Sequence, residues 1–342
     1  MTPSTDWTET VDAGEAARFE RYAEQLHALQ LAGARGGRPS RALHAKGQLG
    51  LEGTFEVLPD LPEHARVALF ARPASYRTYV RFSNGAGRRQ PDGKGDVRGV
   101  ALKLVGVVGK KLIPGTQDAV TQDFLMIRSA TTPFRTADEF LSVVLGAASP
   151  PLGLLRAGAQ VGFGRLFGLL RASLAGFKEP MSSLATTRYF SAAPIKLGAY
   201  AIHYALRPHA RAQDGAAPGH GADYLADEMT ARLRQGAVVY DFQLQFFVDA
   251  ARTPIEDASV EWTEANAPFV TVGRLTLPAQ DPTSPRGRRL AELVEGFSFD
   301  PWHALEDLRP LGNMMRARNP AYRVSTQARK AAAEPDGQER LE

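Results

Sequence analysis

Three short stretches hold the residues best able to do chemistry. In Arg41-Ala42-Leu43-His44-Ala45-Lys46-Gly47 a histidine stands among small residues at the start of a strand pattern. An imidazole titrates near about 6.5 when unperturbed, so it can serve as a general base or proton shuttle. Arg81 ends a strand pattern and opens Arg81-Phe82-Ser83-Asn84-Gly85, with Asp96-Val97-Arg98-Gly99-Val100-Ala101-Leu102-Lys103 following. A guanidinium fork matches a carboxylate bidentately, so Arg81 suits either a protein carboxylate or a ligand's. The third stretch is Arg318-Asn319-Pro320-Ala321-Tyr322, with Arg329 seven residues after the tyrosine. On a helix, Arg318, Tyr322 and Arg329 share one face. Arg318 can then hydrogen-bond the phenolic oxygen, and a phenolate is a hard anionic ligand for ferric iron. Arg329, roughly 10 Å further along the axis, would reach the edge of a flat cofactor centred on the tyrosine. Each pattern also has a plain reading: a surface histidine, a strand-end ion pair, a solvated arginine-rich helix face.

The elements that must position these residues are legible from periodicity. Ala16 to Ala32 reads as a helix and Gly33 to Pro39 as a turn. Gly53–Val57, Tyr76–Phe82, Val97–Val105 and Ala119–Ile127 read as strands, with a short helix over Leu61–Phe70. Asp138 to about Lys178 is Leu/Ala/Gly-rich and predicts helices broken at Pro150-Pro151. Strand patterns resume at Leu197–Leu206, Val238–Val248 and Phe269–Leu277, with an exposed loop over Gln213–His220. Pro285–Glu295 and Trp302–Lys330 read as helices. Seven or eight strands without βαβ alternation predict an α+β fold, an antiparallel β-barrel with helices packed around it. The expected organisation is a helical arm over 1–39, a barrel over 40–330 with a helical insertion at about 136–180 and C-terminal helices, and a flexible tail over 331–342.

Composition narrows the chemistry. The chain has 342 residues, 44% hydrophobic and 23% charged, with a net charge of +4. Those are globular values, so wholesale disorder is excluded. With no Lys/Arg block interleaved with aromatics, nucleic acid is not an expected partner. The absence of cysteine excludes disulfides, thiolate zinc sites, iron–sulfur clusters and a cysteine nucleophile. Gly85 to Gly95 lies between strands and lacks a following helix, so it is not a phosphate loop. His203, His209 and His220 have no metal-ligand spacing. No basic start precedes an apolar run, and Arg156, Arg165 and Arg171 interrupt the most apolar stretch. The expectation is a soluble, cytoplasmic protein without stable membrane insertion.

Together these motifs resemble the haem catalase superfamily. His44-Ala45-Lys46-Gly47 followed by Gly53-Thr54-Phe55-Glu56-Val57 is similar to the catalase distal-histidine strand. Arg81-Phe82-Ser83 and Arg98-Gly99-x-Ala101-x-Lys103 are similar to its next signatures, in order. Phe297-Ser298-Phe299-Asp300-Pro301 and Arg318-x-x-x-Tyr322 resemble its proximal region, so the resemblance runs from about residue 40 to 330. It implies an antiparallel barrel with haem b beneath its wall. It implies Tyr322 as iron ligand, Arg318 as its partner, His44 as distal base and Ser83 as the residue orienting it. It also implies Arg41, Arg81 and Arg329 as holders of the haem propionates. Phe134 lies one residue out of register with the phenylalanine that stacks on haem.

Three departures shape the expected activity. The distal asparagine of catalases falls on Val120 or Thr121, so Thr121 is the candidate replacement. Pro320 sits between Arg318 and Tyr322, where a proline kinks a helix or starts it. The wrapping arm and C-terminal domain of large catalases are not expected in the resemblance. The resemblance therefore implies reduction of hydroperoxides, organic ones or hydrogen peroxide, through a ferryl intermediate at the expense of an organic reductant. Hydrogen peroxide dismutation, fatty-acid hydroperoxide rearrangement and non-catalytic haem binding are the alternatives. A homo-oligomer is expected. Segment 151–177 reads either as helical packing over the barrel or as an apolar wall in peripheral contact with lipid.

Overall fold

The computed structural model describes residues 2–34, 39–176, 181–209, 219 and 221–339. Its centre is an antiparallel sheet in the order β5-β4-β3-β2-β1-β9-β8-β7-β6. The strands are β1 (Gly47–Val57), β2 (Ala74–Asn84), β3 (Arg98–Val105), β4 (Thr121–Ile127), β5 (Tyr189–Phe190), β6 (Ile195–Leu197), β7 (Tyr200–Pro208), β8 (Val238–Phe246) and β9 (Val270–Leu277). The sheet closes because β5 bonds β4 through Ile127↔Phe190 and β7 through Tyr189↔Leu206. The short β6 bonds the same edge of β7, so β5 and β6 form one broken stave of an eight-stave barrel. Closure leaves no long edge to cap.

Period-two alternation decides what fills the barrel and what lies on its wall. Inward residues such as Leu51, Phe55, Val80, Phe82, Leu102, Phe124, Phe242 and Leu275 are fully buried in the main core. Phe242 stands edge-on to Phe55 and also meets Phe124, ring centroids 5.2 and 5.1 Å apart. The alternate residues of β2 and β3 point outward, and helices cover them. The α-helices are α1 (Glu15–Gly33), α2 (Ala137–Ala148), α3 (Leu152–Val161), α4 (Phe163–Gly176), α5 (Tyr224–Gln235), α6 (Pro285–Gly296) and α7 (Asn313–Arg329). Leu290 and Val294 of α6 and the following Phe297 and Phe299 bury against Tyr79 and Val105 on the outer wall.

The expected fold class is the observed one, and several elements differ in detail. The helix expected over 61–70 is two 3₁₀ turns, Glu63–Ala65 and Ala68–Phe70. The helix expected from Trp302 begins only at Asn313, after Pro310 and after Gly312 in the left-handed region (φ 82). Helix α5 was not anticipated; Leu225, Met229 and Leu233, all buried, form its inner stripe at i, i+4, i+8. The tail expected to be flexible is docked as far as 339. Glu334 and Glu339 bond Lys103 and Tyr79 of the barrel wall, at 2.6 and 2.7 Å. Apart from Gly219, the loop over 213–220 lies outside the described residues, as do 35–38 of the expected turn and 177–180 at the end of the insertion.

Candidate active site

The outer face of β1 to β4 carries the site. Its floor is made of small residues in register: Gly47 pairs Ser83, Ser83 pairs Gly99, and Arg81 pairs Ala101. His44 lies three residues before Gly47 with its backbone in the left-handed region (φ 57), uncommon for a non-glycine. Three bonds hold it. Its N–H donates to the Gly85 carbonyl at 2.9 Å, its carbonyl accepts from Arg81 at 3.0 Å, and Nδ1 lies 3.0 Å from the Ser83 hydroxyl. The ring rests on Gly99, where an added Cβ would come within 2.8 Å of Cε1. The residue as a whole is half-buried. Burial first, then the charges of Arg81, Arg318 and Arg41, push His44 down to about 3. The imidazole is therefore neutral at physiological pH.

Beside His44, three guanidinium groups converge on one carboxylate. Arg41 bonds the Glu295 carboxylate and the Phe297 carbonyl, the latter at 2.9 Å. Arg81 bonds the same carboxylate at 2.8 Å. Arg329 bonds the Phe297 carbonyl at 3.3 Å, and its charge also acts on Glu295. Burial, followed by repulsion from Arg81, pushes Arg41 down to about 9. Burial likewise lowers Arg329, with Arg81 adding to the shift. Burial would raise the Glu295 carboxyl, but Arg81 and Arg41 outweigh it and hold the group low. The cluster thus keeps a surplus of positive charge. A cleft of about 860 Å³ opens beside it, with Gly47, Arg81 and Glu295 in its wall.

Helix α7 supplies the remaining groups. It runs unbroken from Asn313 to Arg329 with Pro320 buried inside it, so the proline does not start the helix. One helical bond is lost there, because proline has no N–H for the Arg316 carbonyl. The Arg318–Tyr322 contact survives: the guanidinium donates to the phenolic oxygen at 2.8 Å and lies over the ring at 5.1 Å. Burial works to lower Arg318, yet Tyr322, Tyr204 and Asp300 raise it, so it remains a cation.

The predicted residues thus fall into two sets. His44, Ser83, Arg41, Arg81, Arg318, Arg329 and Tyr322 are linked by bonds or by electrostatic reach. Thr121 is not among them. It pairs Val105 at the far end of β4 from Ile127, which pairs Gly99. Six residues of strand separate those ends by roughly 20 Å. The Thr121 hydroxyl is spent on His303 at 2.5 Å and Glu334 at 2.9 Å. The candidate replacement for the distal asparagine is therefore not brought to His44: strand register, invisible in a motif alignment, sets it at the other end of β4. Phe134 is buried in the core of the helical insertion with Val143, Ala157, Leu166 and Leu169, edge-on to Phe140 at 5.3 Å. Its described contacts are there rather than with His44. Sequence reasoning missed Glu295 and the role of Gly99. The Val294-Glu295 step before Phe297 offered no signal, since the pairing spans 214 residues.

A closed antiparallel barrel with a histidine–serine pair, an arginine cluster and an arginine-bonded tyrosine on its wall has a catalase-like architecture. The family profile for catalase matches residues 26–119. A catalase-related peroxidase of Mycolicibacterium paratuberculosis (strain ATCC BAA-968 / K-10) is 30% identical over 303 residues, 84% of this chain and 88% of that protein. Among solved structures, a fungal catalase superposes with a TM-score of 0.63 at 16% identity, over 90% of this chain and 61% of that one. Catalase A from Saccharomyces cerevisiae gives 0.62 at 16% identity, over 88% and 63%. The chain therefore spans about three fifths of those catalases, whose likeness bears on the fold. It belongs to the catalase superfamily.

Proposed function

We propose that this chain is a haem b peroxidase that reduces organic hydroperoxides. Tyr322 is the iron ligand, Arg318 its partner, His44 the distal base and Ser83 the residue that orients it. Arg41, Arg81 and Arg329 hold the propionates. The observation that carries the reading is Arg318. It donates to the Tyr322 phenol at 2.8 Å, and its charge also reaches His44, so phenol and imidazole lie within the field of one guanidinium. The similarity to a catalase-related peroxidase over most of both chains supports the same reading.

The donor set fits haem. Three guanidinium groups face one carboxylate, and two propionates would balance the charge that remains. An imidazole, a phenol and a floor of small residues complete a site for a flat, dianionic, iron-bearing ligand. When bound, the haem supplies the redox chemistry that cleaves the O–O bond of a hydroperoxide.

The residues do the proton work. Neutral His44 takes the hydroperoxide proton at Nε2 while Nδ1–H donates to the Ser83 hydroxyl. It returns that proton to the departing oxygen, so an alcohol leaves rather than an alkoxide. Over the cycle ROOH gains two electrons and two protons from an organic donor and yields ROH and water. Gly99 and the Arg81 bond to the His44 carbonyl keep the ring in place. Thr121 is committed to His303 and Glu334, which favours peroxidase turnover over hydrogen peroxide dismutation.

The test is an absorption spectrum of haem-loaded protein, followed by cumene hydroperoxide or hydrogen peroxide with an organic donor. The expected result is a Soret band, and turnover faster with cumene hydroperoxide. His44→Ala should keep the band and lose at least about a hundredfold in turnover. No Soret band, or full turnover in His44→Ala, would overturn the reading.

A further inference from the structure

Four large apolar side chains are left exposed within sixteen residues: Leu152 (65%), Leu155 (54%), Phe163 (60%) and Phe167 (70%). Elsewhere among the described residues, such exposure falls on Val11, Leu29, Leu31, Leu43 and Val108, scattered through the chain. The cluster is ordered. On α3, Leu152, Leu155 and Arg156 stand at i, i+3, i+4; on α4, Phe163, Phe167 and Arg171 stand at i, i+4, i+8. The opposite faces, Ala157 of α3 and Leu166 and Leu169 of α4, are buried with Phe134. Both stripes therefore point away from the molecule. Phe163 also ties the two helices together, since a Cβ on Gly158 would meet its ring at 2.4 Å.

Charge selects the occupant. The sequence has no Asp or Glu between Glu139 and Glu179, yet it has Arg156, Arg165, Arg171 and Lys178. Arg165 is engaged by Glu139 at 2.7 Å, while Arg156 and Arg171 are exposed beside the apolar stripe. A second copy docking by two-fold symmetry would set this basic segment against itself with no carboxylate of its own to answer it. An anionic bilayer answers both features. Its headgroups pair with the arginines, and its acyl boundary takes up Leu and Phe.

We propose that the α3–α4 hairpin is a membrane-docking surface for anionic phospholipid, lying in the interface without spanning it. No described helix is long and apolar enough to cross a membrane. The surface stands on residues outside the haem-site proposal, so either can fail alone.

Co-sedimentation of the full-length protein with phosphatidylcholine vesicles and with phosphatidylcholine–phosphatidylglycerol vesicles tests it. Binding is expected with the anionic vesicles, falling as salt is raised. The Leu155→Glu/Phe167→Glu and Arg156→Glu/Arg171→Glu variants alter only exposed side chains. Each should weaken binding at least about tenfold. Absence of binding to either vesicle, or binding unchanged in both variants, overturns the proposal. So does a Leu155→Glu/Phe167→Glu variant that merely converts a wild-type oligomer to monomers, which would assign the face to self-association.

Discussion

His44 is defined by what surrounds it more than by its own chemistry. Burial, aided by Arg81, Arg318 and Arg41, takes it from 6.5 to about 3. A base that stays neutral from about pH 5 upward needs no deprotonation step before it works. Peroxide-driven turnover should therefore be flat from about pH 5 to 8, with its acid limb nearer 3 than 6.5. A pH profile of turnover with a limb centred near 6.5 would show that His44 is not held as described. The ring also needs the absence of a side chain beneath it. Gly99→Ala puts a Cβ within 2.8 Å of the imidazole, backed by a β-strand that cannot retreat. We expect haem binding close to wild type and turnover lowered by about tenfold to a hundredfold, read from paired Soret titrations and assays.

At the scale of elements, helix α7 and the C-terminal tail do different work on one barrel wall. Helix α7 delivers Arg318, Tyr322 and Arg329 along seventeen residues. Residues past its end seal the wall beside it. Glu334 accepts from fully buried Lys103 at 2.6 Å, from Thr121 at 2.9 Å and from Ser298 at 2.7 Å. Asp123 is the other carboxyl partner of Lys103, at 2.7 Å. Burial would raise the Glu334 carboxyl, but Lys103 and His303 hold it at about 2. A carboxyl lowered on folding adds stability in full above its unfolded value, 4.5, and loses it as pH falls toward 2. Glu334→Gln should therefore cost about 2 kcal/mol at neutral pH. The difference from wild type should shrink on acidification below 4.5. Urea unfolding at several pH values would reveal it, and equal stabilities at pH 7 would count against a structural role for the tail.

Across the whole molecule, a surplus of buried positive charge waits on the barrel wall. Arg41, Arg81 and Arg329 answer to Glu295 alone among the described carboxylates near them. A dianionic ligand relieves that surplus, so haem should stabilise the chain by about 2.7 kcal/mol at a hundredfold excess over its dissociation constant. Calorimetry with and without haem measures it. Arg329→Ala leaves Glu295 bonded to Arg41 and Arg81, so the fold should persist. Haem retention should fall by about tenfold, as judged by transfer to an apo-globin acceptor. An unchanged transfer rate would remove Arg329 from the site.

The amino-acid order alone determined the local matters: which stretches alternate with period two, which repeat with a helical stripe, and which carry His44, Arg81-Phe82-Ser83 and Arg318-x-x-x-Tyr322. Those depend on near neighbours, so a short window suffices. The Arg318–Tyr322 bond was legible for the same reason, being four residues apart on one helix. Tertiary structure alone decided what meets across the chain. It brought Glu295 to Arg41 and Arg81, laid the His44 ring on Gly99 and drew Glu334 over Lys103. It also moved Thr121 to the far end of β4, because barrel register and not motif order sets which outward residues are neighbours. Pairings separated by hundreds of residues leave no trace in a local pattern, since burial and charge balance are properties of the closed barrel and its covering helices.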